Sequence, residues 1–358
     1  MKTLEHLRHC FDHNGPVLTA SFIDVQKEQY FSLTENRIYY WYRDCKQNEC
    51  PFEAPFANAT EPSPTGAKFV DMVHIDHHAV VADSCGVIHI YKVDNLNVLT
   101  KEDFVIVSMK DKCIIDIAYC NKNLYVLHEG GFLQRYPNFG IPVDDLPNSP
   151  LNFRVFSQQR NIELKIQKES RKLQPYHYKD GQPDLLFVAE SKTVRVYAAY
   201  PIVGTKCTME VVSKCGFLSE ILSQKDISAI DTEIMLADDG LLLLGNKNGN
   251  LSCWEIAMAD DNSENAQHKF KLQFKPIFST WQHGMKITAV DMCTKSLISF
   301  SFDKDGCCVA MDLKSNRVVN KFIPHAKAVT SVQLDAKSGI MLTASKDYTA
   351  KVWRVWIE

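Results

Sequence analysis

The chain has 358 residues, of which 45% are hydrophobic, 10% aromatic and 23% charged, which excludes the disordered, collagenous and low-complexity classes and allows a sizeable core. Forty basic against forty-three acidic residues give a formal charge of −3, too little for a global pull toward nucleic acid or an anionic membrane. No stretch approaches the roughly 18 apolar residues of a membrane helix, and the start MKTLEHLRHCFDHNG lacks the apolar centre of a signal peptide.

The predicted elements are short alternating strands that recur in groups separated by turn residues. In chain order the groups are 17–22, 30–33 and 37–41; 68–75, 79–82 and 87–91; 113–118, 124–127 and 132–136; 161–168, 185–189 and 193–197. Then come 228–235, 241–245, 250–254 and 269–278, followed by 285–292, 297–302, 307–311 and 317–322. The last group is the clearest, with strands at 325–334, 340–344 and 349–353 and turns at 335–339 and 346–348. Its third strand ends in Trp353, and the corresponding residues upstream are Trp41, Tyr91, Tyr136, Tyr197, Trp254 and Met311, spaced 42 to 61 residues apart. A blade of a β-propeller takes ~40–45 residues, so these spacings leave room for loop insertions.

This cadence resembles the WD-repeat family over the whole chain, most clearly in the last two groups. The resemblance implies an all-β, seven-bladed WD-repeat β-propeller forming a single domain over 1–358, with blades at 15–67, 68–111, 112–159, 160–216, 226–280, 284–323 and 325–358 plus 3–12. It also implies a structural brace linking a histidine, an aspartate and a tryptophan through a hydroxyl. His325, Asp347 and Trp353 match it, with Ser345 or Thr343 as the hydroxyl, and His283 and Asp305 match it in the preceding blade, where Met311 replaces the tryptophan. The position six residues before the aromatic holds Glu35, Cys85, Gly130, Ser191 and Asn248 in the other blades, so those are expected to rely on packing. The last group stops after its third strand, and 3–10 can supply the fourth. The last blade is therefore expected to be closed by the N-terminal strand, which removes the open edges a ring would otherwise expose.

Three insertions depart from the minimal blade. Residues 44–66 carry Phe52 and Phe56, candidates for partner binding or for packing on the blade's own outer edge. In 142–183, residues 152–157 read as an outer strand and 170–184 as a long loop in which Arg171 and Lys172 accompany Tyr176 and Tyr178. Cations interleaved with aromatics are what a single-stranded nucleic acid requires; a solvated hairpin whose aromatics cover a neighbouring blade is the plainer reading. Residues 257–267, with Asp260, Asp261 and Glu264, read as a polar loop.

No catalytic or metal constellation emerges. His74, His77 and His78 cluster at a turn without further ligands, Cys45 and Cys50 lack zinc-knuckle spacing, and Cys307 and Cys308 point to opposite faces of one strand. Phosphate loops, dinucleotide fingerprints and nucleophile elbows are absent. The expectation is a non-enzymatic protein–protein interaction scaffold in an intracellular complex, without cofactor, small-molecule substrate or membrane, its twelve cysteines reduced in cytoplasm or nucleus. The alternative is an RNA-binding or RNA-processing subunit; a propeller hydrolase is the third class.

Overall fold

The structure is a computed structural model that describes residues 4–10, 13–42, 56–59, 66–109, 112–142, 151–153, 162–165, 172–177, 184–189, 194–199, 209–215, 233–236, 240–260 and 270–355. Among the described residues every element is a strand, and the strands form seven four-stranded sheets and one two-stranded ribbon. None of them is a helix long and apolar enough to cross a membrane.

The first sheet contains Val17–Asp24, Gln29–Thr34, Ile38–Tyr42 and Phe56–Ala59, and the second Phe69–Ile75, His78–Asp83, Val87–Val93 and Leu99–Val107. Ile114–Cys120, Asn123–His128, Phe132–Tyr136 and Ile162–Lys165 make the third, and Lys172–Tyr176, Asp184–Ala189, Val194–Ala199 and Met209–Cys215 the fourth. The fifth has Glu233–Leu236, Leu241–Gly245, Asn250–Asp260 and Phe270–Trp281; the sixth has Ile287–Cys293, Ile298–Asp303, Cys308–Asp312 and Arg317–Phe322. In the seventh, Val329–Asp335, Ile340–Ser345 and Ala350–Val355 are joined by Leu4–Cys10, which runs antiparallel to Ala350–Val355 with Leu4 opposite Val355 and Cys10 opposite Ala350.

Second strands explain why the sequence signal there is a continuous apolar run rather than an alternation. His78–Asp83 and Asp184–Ala189 are buried at every position, because sheets cover both of their faces. The outer strand Arg317–Phe322 is mostly exposed and reads as polar and apolar residues mixed.

The chain divides into two compact units, Met1–Cys113 with Gly245–Leu251 and Thr280–Glu358, and Ile114–Leu244 with Ser252–Ser279. In the first unit, Phe31, Leu33 and Tyr40 pack on Phe69, Val81 and Tyr91 between the first two sheets. Tyr30 and Trp41 pack on Leu342 and Val352, and Phe300 and Phe302 pack on Met341 and Trp353, joining the seventh sheet to its neighbours. In the second unit, Tyr125, Leu127 and Leu133 pack on Leu173, Leu186 and Val188.

Two strand expectations are corrected. Residues 162–165, expected to open the fourth unit, are the outer strand of the third sheet, where Ile162 lies opposite Arg135. The fourth sheet opens instead with Lys172–Tyr176, inside the segment expected to be a loop. Pro175 hides this strand in the sequence, yet it stands on an edge strand, where a missing N–H breaks no ladder. Asn152, expected to open an outer strand over 152–157, pairs instead with Ile141 in the ribbon of Ile141–Pro142 and Leu151–Asn152.

Candidate functional site: hydrogen-bonded braces and the turns they hold

The seventh sheet holds a complete brace. Trp353 Nε1 donates to Thr343 Oγ1 at 2.9 Å, His325 Nε2 lies 2.8 Å from the same oxygen, and His325 Nδ1 lies 3.0 Å from Asp347 Oδ2. Of the two hydroxyls offered by the sequence, Thr343 is the one in the chain. Burial pushes the His325 pKa down, favouring a neutral ring that accepts at Nε2 and donates from Nδ1. The Asp347 carboxylate also accepts from Ala326 N and from Thr349 N and Oγ1, and its pKa is lowered, these bonds to the charged form outweighing burial.

The sixth sheet repeats the motif with a shift. His283 Nε2 is 2.8 Å from Ser301 Oγ, but its Nδ1 meets Asp303 Oδ2 at 3.0 Å rather than the expected Asp305, whose side chain is exposed. Asp303 can do this because it begins the turn. Its Oδ1 accepts from Asp305 N and Cys307 N, leaving Oδ2 for the histidine. In the seventh sheet Ser345 begins the turn, accepting from Asp347 N, and the carboxylate sits two residues later.

The first sheet has a brace that spacing did not reveal. Trp41 Nε1 donates to Ser32 Oγ at 2.7 Å and His13 Nε2 lies 2.8 Å from it, while His13 Nδ1 meets the carbonyl of Tyr348 at 3.1 Å. Ser32, Ser301 and Thr343 each occupy the fourth position of their second strands. That shared hydroxyl is the signal that could have found His13; a search for an aspartate could not, because the acceptor is backbone.

Turns between second and third strands share a plan. Asp83, Asn246 and Asp303 each accept, through Oδ1, two backbone N–H groups two and four residues on. Gly86, Gly249 and Gly306 follow at φ 80 to 81, their missing Cβ space taken by carbonyls of the loop leading to the next sheet. The seventh sheet places Tyr348 there at φ 71, exposed at 45%, with Lys327 Nζ 5.2 Å from its ring centroid. A left-handed non-glycine residue costs about 1–2 kcal/mol.

In the second unit the polar groups tie neighbouring sheets. Asp184, almost fully buried, accepts from Tyr125 Oη at 2.7 Å, Asn123 Nδ2 at 2.9 Å and Asn121 Nδ2 at 3.1 Å, and lies 2.9 Å from His177 Nδ1. Burial raises the Tyr125 pKa, keeping the phenol a donor. Asp116 accepts from Leu173 N and from Lys172 Nζ, at 2.6 and 3.1 Å.

Two of the partner-binding candidates lie on the first strand of the fourth sheet. Tyr176 is 8% exposed on the strand Lys172–Tyr176, and Lys172 is engaged with Asp116. Phe52, Arg171 and Tyr178 lie outside the described residues, and Phe56 opens the fourth strand of the first sheet. Of the turn histidines, His74 Nδ1 lies 2.6 Å from Ser21 Oγ, and burial lowers the His78 pKa to about 4.

His283, Asp303 and Cys307 are the one trio of metal-ligand type among the described residues. Burial first, and then Asp303, pushes the Cys307 thiol up, while His283 is already spent on Asp303 and Ser301. A protonated thiol beside two committed ligands suits a hydrogen-bonded turn better than a cation.

Repeated four-stranded antiparallel sheets define the class, an all-β fold of propeller type. The chain is similar to the WD40 β-propeller domain of Doa1, with TM-score 0.65 and 8% identity over 98% of this chain and 96% of that one. It is also similar to the computationally designed Ika8 protein, with TM-score 0.56 and 15% identity over 98% and 99% of the two chains. At these identities the likeness shows the fold. No protein-family model and no curated protein sequence matches this chain.

Proposed function

We propose that the chain is a single seven-bladed propeller, closed by its N-terminal strand, that serves as a non-enzymatic protein–protein interaction scaffold in an intracellular complex. The observation that carries this reading is where the exposed apolar side chains lie. Leu96 (81%), Val105 and Val107 sit on or beside the outer strand of the second sheet, Val318, Val319 and Ile323 (74%) on or beside that of the sixth, and Trp281 (65%) ends that of the fifth. Apolar groups on edges and loops of a rigid frame are what docking needs. The polar clusters are committed to bracing, which favours a scaffold over a hydrolase. Cys85, Cys113, Cys293, Cys307 and Cys308 form no disulfide among the described residues, in keeping with a reducing compartment.

Seven four-stranded sheets and the pairing of Leu4–Cys10 with Ala350–Val355 support the blade count and the closure. Removing residues 1–13 is expected to lower Tm by several degrees; an unchanged Tm would refute closure. Purification of the native chain under mild salt is expected to return a stoichiometric protein complex, and a monomer that turns over a small substrate would sink the scaffold reading.

A further inference from the structure

One run of turns and loops in the first unit carries features that bracing does not use. Gly249 abuts the carbonyls of His283 and Met285, Lys304 N donates to Lys286 O, and Gly306 abuts the carbonyls of His325 and Lys327. Lys346 N in turn donates to Ala328 O, and Lys327 lies over Tyr348. Each contact links one turn to the next, so Lys247, Met285, Lys304, Lys327, Lys346 and Tyr348 line one continuous edge.

All six side chains are exposed, and among the described residues none of the four lysines is in an ion pair. Asp303 and Asp347 belong to the braces, so the exposed carboxylate along this edge is Asp305. The charge excess stops at the first sheet, where Lys68 pairs with Glu35 at 2.7 Å.

The second observation is Tyr348. Three equivalent turns place glycine where this turn holds a tyrosine at φ 71. The turn would be more relaxed with glycine, and the ring it keeps instead is exposed beside a lysine. Strain retained for an exposed aromatic is a mark of a contact surface.

We propose that this edge docks an acidic peptide segment of a partner protein, its carboxylates meeting Lys304, Lys327 and Lys346 while an apolar side chain lies against Tyr348. The proposal rests on the scaffold reading and names the class of partner. A peptide is favoured over single-stranded nucleic acid because the edge offers one exposed ring, not a series on which successive bases could stack.

The test is fluorescence anisotropy of the full chain with a labelled peptide of glutamates interspersed with leucines, beside a glutamine control and an oligouridine. Binding of the acidic peptide alone is expected, weakened about tenfold or more in K304E/K327E/K346E and by raised salt. Tyr348→Gly supplies the control for folding, since it should hold or raise Tm while weakening the peptide several-fold. Undiminished binding by the triple variant or by Tyr348→Gly overturns the proposal, as does an oligouridine bound more tightly than the peptide through the same lysines. None of these results touches the scaffold reading, which stands or falls on the native complex.

Discussion

The two units hold their sheets by different means. In the first, a histidine spans each of three sheets from the loop before its first strand to a hydroxyl in its second, as His13 does with Ser32, His283 with Ser301 and His325 with Thr343. In the second unit the comparable investment is Asp184, a carboxylate of the fourth sheet that gathers Tyr125, Asn123 and Asn121 from the third. A chain of hydrogen bonds that runs from a loop histidine to a strand hydroxyl can be lost one link at a time. A buried charge shared between sheets fails all at once, because every donor around it is left without its acceptor.

The largest effect should therefore come from Asp184→Ala, expected to cost about 3–5 kcal/mol in urea denaturation. A cost below that of the brace variants would erase the distinction between the units. Thr343→Val keeps volume but strips His325 and Trp353 of their common partner, for an expected loss of about 2 kcal/mol. Asp303→Ala should cost about 1–3 kcal/mol and Asp305→Ala less than about 0.5 kcal/mol; the reverse order would restore Asp305 to the brace.

The smallest effect is one of pH. Burial lowers the pKa of His283 and of His325, so unfolding takes up protons and their stabilisation, complete above a pH of about 6.5, is lost on acidification. Asp291 works the other way. Burial raises its pKa to about 7, so its contribution is largest in acid and declines as pH rises between the free and folded values. Tm measured from pH 7.5 to 5.5 should fall more steeply in Asp291→Asn than in the parent, and parallel curves would show that the two groups do not oppose each other.

Much of the fold was legible because turns and apolar runs leave marks that need no partner. The brace at His325, Asp347 and Trp353 was legible for the same reason, its members standing at regular intervals. Asp303 was missed because a carboxylate two positions earlier in the turn reaches the same histidine once it also caps that turn. His13 was missed because its second partner, the carbonyl of Tyr348, has no letter in the sequence. The strand Lys172–Tyr176 was hidden by Pro175 and by a basic, aromatic composition that reads as a surface loop, whereas Leu173 and Tyr176 face the core. The Asp184 cluster draws residues up to 63 apart, and no local pattern announces such a meeting.

The pairing of Leu4–Cys10 with Ala350–Val355 also sets a schedule. Translation runs at roughly 5–20 residues per second, so Leu4–Cys10 waits on the order of tens of seconds for Ala350–Val355 to emerge. Throughout that interval LEHLRHC is an unpaired edge, open to any other extended chain, and its partner sheet cannot be completed. That interval is thus when this strand most needs a chaperone.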